Sequence, residues 1–188
     1  MQWLLQMTKH LIQRIRASWN IGSVGILLLS IGGFPAIAAD AGKTSAPVKI
    51  AVFDFELEDI SPAASIEGAS TSTAAVMDKV SSAARRVLAQ SGRYSLVDVS
   101  QAKAKPVTEK SLRNCDGCDA AIALQLGAEQ SFVGVVRRVT MTDYYVQVQI
   151  SDARTGKILN QQAANFAGGD DGWASGVAAL IRHQVLAQ

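Results

Sequence analysis

The side chains with the most distinctive chemistry are Cys115 and Cys118, which stand as Cys115-Asp116-Gly117-Cys118 in a chain of 188 residues with two cysteines. A C-x-x-C pair can close as a disulfide, cycle as a thiol–disulfide couple, or lend two thiolates to a metal. The spacing places the pair just ahead of a helix expected over 119–126, and a helix N-terminus favours the thiolate. Two features oppose redox work. Asn114 stands where thioredoxin-like motifs usually carry an aromatic residue, and Asp116 and Asp119 add negative charge that disfavours a thiolate. A structural disulfide is therefore the first reading, a redox pair the alternative and a metal site the last. Zinc needs three or four ligands, and no second C-x-x-C and no H-x-x-x-H is present. No His follows Cys118, so the motif is not a c-type haem attachment site. Neither a metal nor another cofactor is expected.

A second group of chemically capable residues is the acidic run Asp54, Glu56, Glu58 and Asp59. Carboxylates at a strand's C-terminal end can hold a cation or serve as acid and base. The plainer reading is a solvated strand end with Asp54 closing a turn. Gly168-Gly169-Asp170-Asp171-Gly172 precedes a helix, but its two acids suit a linker and a helix start better than phosphate. No G-x-S-x-G and no Walker pattern occurs. His183 has no partner in view. No catalytic set emerges, so the chain reads as more a binding protein than an enzyme.

The address of these residues follows from the first 40 positions. Lys9, Arg14 and Arg16 precede an apolar run from Ile21 to Phe34, then Pro35 and Ala36-Ile37-Ala38-Ala39. That order defines a secretory signal peptide over 1–38, with cleavage after Ala38 or, alternatively, Ala39. The run falls short of the about 20 apolar residues of a spanning helix, so the mature form is not expected to span a membrane. No Cys follows it to carry a lipid. Export to the periplasm is the expectation, with secretion as the alternative, and an oxidising compartment favours a closed Cys pair. The leader takes three of the 18 basic residues and none of the 16 acids, leaving 15 against 16 and a net charge of about −1. A basic nucleic-acid surface is thereby excluded.

The elements that must position the Cys pair and the acids read as follows. After a flexible tail over 39–47, Val48 to Phe55 is a buried strand. Glu56 to Ser72 is a long loop. Thr73 to Gln90 is an amphipathic helix with Val76, Val80, Ala83, Ala84, Val87 and Leu88 on one face, ended by Gly92. Tyr94 to Val99 is a strand and Gln101 to Arg113 a polar connection. Three strands follow: Gln130 to Met141, Tyr144 to Ser151, and Lys157 to Phe166. Tyr144, Val146, Val148 and Ile150 alternate with Tyr145, Gln147, Gln149 and Ser151, giving one dry and one wet face. Arg137 and Arg138 must face opposite sides. Trp173, Val177, Leu180 and Ile181 stripe a terminal helix. The order β-α-β-α-β-β-β-α predicts a single α/β (α+β) domain over 48–188, with a mixed sheet of about five strands flanked by helices. Its polar face or exposed edge suits a partner chain added as a strand.

Several phrases in order carry a resemblance: 48–57 (VKIAVFDFEL), 91–98 (SGRYSLVD), the Cys pair, Leu126-Gly127-Ala128, Asp152 with Thr155-Gly156, and Trp173. Together they resemble a bacterial exported family known as domain of unknown function 2380. More distantly they are similar to the N-terminal domain of the translocation protein TolB and to the curli secretion lipoprotein group. The resemblance implies a mixed sheet flanked by helices and a periplasmic binding or assembly role with a protein partner in the cell envelope. It transfers no catalytic residue.

Overall fold

A computed structural model describes residues 46–62, 64 and 71–188. The signal segment 1–38, its cleavage positions Ala38 and Ala39, and most of the tail lie outside the described residues. Among the described residues, six strands form one open mixed sheet. They are β1 Val48–Val52, β2 Glu56–Asp59, β3 Tyr94–Val97, β4 Gln130–Arg138, β5 Asp143–Asp152 and β6 Ile158–Ala167. The helices are α1 Thr71–Gln90, the short α2 Lys105–Thr108, α3 Cys118–Gln125 and α4 Trp173–Leu180, which continues into a π-helical turn over Ile181–Val185. A mixed α+β fold with a sheet flanked by helices is thus the fold expected from the sequence.

The order across the sheet is β3-β1-β4-β5-β6, with β2 paired to β4. β1 lies parallel to β3 and to β4, whereas β4, β5 and β6 run antiparallel as a meander. β2 is the strand that sequence reading missed. The expected strand over 48–55 stops at Val52, and the expected loop from Glu56 opens with β2, parallel to β4 from Glu56 opposite Val135 to Asp59 opposite Arg138. β1 and β2 therefore occupy one edge of β4 in succession, separated by a three-residue break.

The break has a physical cause. Phe53 packs on one side of the sheet and Phe55 on the other, which strict alternation over two residues forbids. The chain slips by one residue at exposed Asp54. The backbone groups freed by the slip find partners on α1: the Phe55 N–H donates to Ser81 Oγ (2.9 Å), and Arg85 donates to the Val52 carbonyl through Nε (3.3 Å) and Nη2 (3.2 Å). Arg85 also pairs with Asp54 at 2.6 Å. A buried backbone group without such a partner costs about 1–3 kcal/mol, so these side chains are what make the interruption tolerable. Across from the break, Gly134 leaves space for the Phe55 ring, which any Cβ there would strike.

The two sheet faces are covered unequally. On one, α1 and α4 enclose a core of Ile50, Val52, Phe55, Val80, Leu88, Phe132, Val146, Val148, Trp173 and Ile181. The predicted face of α1 is the buried one at Val80, Ala84, Val87 and Leu88, with Met77 added, and Gly92 ends the helix region in the left-handed conformation (φ 69°). On the other face, a smaller core of Ala51, Phe53, Leu112, Ile122, Ala123, Ala128, Val133 and Ala153 sits under α3, with both cysteines against it. The segment expected as a plain connection over 101–113 contains α2 and runs into a 3-10 turn over Leu112–Asn114.

Candidate functional site

Cys115 and Cys118 are joined as a disulfide with their Cα atoms 5.5 Å apart. Cys118 is the first residue of α3, and Gly117 is its N-cap. Both cysteines are half-buried against the smaller core. The loop is held to the sheet by Glu56, a side chain only 1% exposed. Glu56 accepts the Leu112 N–H at 2.5 Å, the Arg113 N–H at 3.3 Å and Arg113 Nη1 at 2.6 Å. A buried carboxylate with two backbone donors and a guanidinium is a satisfied structural group. Just inside α3, buried Asp119 accepts the Ser131 hydroxyl of β4 at 2.5 Å. The loop is thus fastened to the sheet from two sides.

The four acids singled out from the sequence do not converge. Each takes its own arginine: Asp54 with Arg85, Glu56 with Arg113, Glu58 with Arg137 at 2.8 Å, and Asp59 with Arg138 at 2.8 Å. Alternation along β2 turns Glu56 and Glu58 to the side of the disulfide and Asp59 to the side of α4. Burial pushes the Asp59 carboxyl up, but hydrogen bonds from the Ser61 hydroxyl and N–H and the Arg138 guanidinium outweigh it and hold it below its ordinary value. Among the described residues, no three His, Cys, Asp or Glu side chains gather as a metal site. His183 is exposed on the terminal π-helical turn.

Arg137 and Arg138 face opposite sides, as alternation requires. Arg138 is 6% exposed, bridges Asp59 and Asp170 (2.6 Å), and lies 4.9 Å from the Trp173 ring. Asp170 thus serves Arg138 as well as the turn that starts α4. Arg137 is half-exposed and lies over Tyr145 at 5.7 Å.

The concavity that these elements create lies on the side of the disulfide. A groove of about 680 Å³ runs between α3 and the strands β4 and β5. Its apolar wall is Leu112, Leu124, Val133, Val135 and Ile158, its floor carries Gln147 and Gln149, and Arg113 and Arg154 stand at its rim. It continues toward Arg137 and Tyr145 through a second hollow of about 260 Å³ that shares Arg113, Val135 and Gln147. Leu124 and Ile158 are 43% and 49% exposed, so the wall presents apolar surface to water. Sequence reading found the wet face of β5 but not the groove. The turn Arg154-Thr155-Gly156 that helps close it is remote in sequence from Val133 and Val135, and α3, though it directly precedes β4, is laid over that strand only by the fold. At that turn, hydrogen bonds from the Thr155 hydroxyl and N–H and the Arg154 N–H hold the Asp152 carboxyl below its ordinary value.

A family model described as protein of unknown function (DUF2380) matches residues 48–185. No curated protein sequence matches the chain. Among solved structures, the chain is similar to the LpoB C-terminal domain from Salmonella enterica, at 16% identity over 66% of this chain and 85% of that one, with a TM-score of 0.46. It is similar to lipoprotein GNA1162 from Neisseria meningitidis at 16% identity, over 76% of this chain and 96% of that one, with a TM-score of 0.40. The likeness to TolB is met in the Acinetobacter baumannii protein, at 14% identity over 73% of this chain and 28% of that one, with a TM-score of 0.46.

Proposed function

The chain belongs to the family described as protein of unknown function (DUF2380), and from that premise we propose that it is an exported, periplasmic, non-catalytic module that docks a protein partner of the cell envelope in the groove beside the disulfide. The single observation that carries this reading is the composition of the groove. Apolar walls, an amide floor and a charged rim of Arg113, Arg154 and Asp116 suit the side chains of a peptide surface. Of the charged groups nearby, Glu56 is held by Arg113 and Glu58 by Arg137, while Arg154 and Asp116 line the groove without an ion pair among the described residues. The disulfide and the leader pattern support export, because a closed C-x-x-C pair suits an oxidising compartment. No helix among the described residues is long and apolar enough to cross a membrane.

A photo-cross-linking residue at Gln149, on the groove floor, tests the docking role against the same residue at Asp78 on the exposed side of α1. A discrete adduct from Gln149 that Leu124→Arg removes supports the reading. Identical adducts from both positions overturn it. Release of the protein by osmotic shock tests the compartment, and retention with the cytoplasmic fraction counts against export.

The placement of Cys118 at the start of α3 favours one second reading, a thiol–disulfide protein. A reduction potential below about −300 mV would make the pair structural and end it.

A further inference from the structure

The sheet has two edges, and they are treated differently. β3 is four residues long. β6 is ten residues long, Ile158-Leu159-Asn160-Gln161-Gln162-Ala163-Ala164-Asn165-Phe166-Ala167, with no charged residue and no proline. It pairs with β5 on one side and ends the sheet on the other. Natural sheets blunt such edges with charge, proline, bulges or short length, because an open row of N–H and C=O groups templates another strand. β6 carries no charge and no proline; a bulge at Leu159, where Ile150 pairs with Asn160 and Ser151 with Ile158, interrupts its first residues, and the regular open edge runs from Asn160 to Ala167.

The direction of the free backbone groups follows from the register. Gly168 N–H donates to the Thr142 carbonyl, and Phe166 lies opposite Tyr144 and Ala164 opposite Val146. In an antiparallel ladder the bonding residues alternate, so Gln162, Ala164 and Phe166 turn their backbone groups to β5. Gln161, Ala163, Asn165 and Ala167 turn theirs away from the sheet.

Charge decides what fits there. Lys157 stands immediately before β6 and exposed Asp171 shortly after it, and neither forms an ion pair among the described residues. A strand with a free cation at its start and a free carboxylate past its end is complementary to itself in antiparallel orientation. We propose that β6 pairs with β6 of a second copy about a two-fold axis through Ala163, extending the sheet across two molecules. A two-fold axis normal to the sheet keeps the faces aligned and sets outward residues against outward residues. Ala163 then opposes Ala163 and Gln161 opposes Asn165, all within the regular part of β6, and the bulge at Leu159 falls at the end of the shared ribbon. The side chain of Lys157 reaches the Asp170-Asp171 turn of the other copy at each end. No like charges meet along the ribbon.

Sedimentation velocity on protein purified from cells expressing the full chain tests the pairing. The expected result is a concentration-dependent monomer–dimer equilibrium. Ala163→Pro removes only an outward N–H, which an edge strand tolerates, and is expected to abolish the dimer while the circular-dichroism spectrum is retained. Gln161→Lys, a charge on the edge, is the second blocking variant. Lys157→Gln is expected to weaken the dimer by about 2- to 30-fold, the loss of two exposed ion pairs, Lys157→Glu to weaken it further by setting like charges together, and Lys157→Glu with Asp171→Lys to restore it. In the proposed register, Ala163→Cys sits opposite itself with Cα atoms about 5.5 Å apart, within disulfide reach, so oxidation should link two chains. A monomer at every concentration overturns the proposal, as does a dimer that survives both blocking variants. A chain that stays monomeric yet takes up an added foreign peptide along β6 overturns it too. Groove adducts from Gln149 are unaffected by Ala163→Pro in either case, so the two readings fail separately.

Discussion

Arg137 and Arg138 are consecutive residues of β4 and belong to different environments. Arg138 sits on the side covered by α1 and α4, nearly sealed from water, with two carboxylates and an indole ring around it. Arg137 sits on the side that α3 covers only in part, half-exposed between Glu58 and Tyr145. The same contrast holds for the faces as wholes. The first is a continuous aliphatic and aromatic core, whereas the second is a small core, a disulfide and an open groove with glutamines on its floor. Stability is concentrated on the first face and the open groove lies on the second. A charge held in the dry layer has its geometry dictated by packing, whereas a pair on the wet side is screened by solvent and contributes little.

The contrast can be broken most severely at Trp173, which is 1% exposed and touches both Tyr144 and Arg138. Trp173→Ala should cost about 3–5 kcal/mol in denaturant unfolding, since it opens a large cavity and uncovers Arg138. Arg138→Ala should cost about 2–4 kcal/mol, short of a fully buried pair because Asp170 retains some contact with water. Breaking the disulfide with Cys118→Ser should cost about 2 kcal/mol, because the closed loop is short and the entropy it removes from the unfolded chain is small. Arg137→Ala should cost less than about 1 kcal/mol, as an exposed pair does. If Arg137→Ala and Arg138→Ala prove equally costly, the distinction between the faces fails.

The smallest effect is in pH dependence, and it sharpens the assignment of Asp59 to the dry side. The Asp59 carboxyl is held below its ordinary value of 3.8 in the folded chain, so its contribution is present above that pH and is lost as pH falls through the folded value. The stability difference between the native chain and Asp59→Asn should therefore be constant near neutrality and shrink in acid. A difference that does not change between neutral pH and the acid limit would separate Asp59 from Arg138 energetically.

Much of the fold was legible without coordinates. The alternation in β5 placed Tyr144, Val146, Val148 and Ile150 in the core, the 3.6-residue period of α1 identified its buried face, and the opposite facing of Arg137 and Arg138 followed from strand geometry alone. Those signals are local, since they rest on neighbours two to four positions apart. The family resemblance, too, was carried by short phrases in order. β2 was hidden because Glu56, Glu58 and Asp59 give it the composition of a loop. Its charges are acceptable in a sheet only because Arg113, Arg137 and Arg138 arrive from elsewhere.

The sequence by itself therefore determined the strands and helices with strong periodicity, the two-faced character of the sheet, and the closeness in chain of Cys115 and Cys118. Tertiary structure alone decided which partner each carboxylate took, where β1 breaks, and that a groove opens beside the disulfide. The physical reason is distance along the chain. Glu56 meets Leu112 and Arg113, and Phe55 meets Ser81 and the space at Gly134, only after β1, β2 and β4 are aligned side by side. A residue's period records which face it takes, whereas its partner across the sheet is set by topology and register.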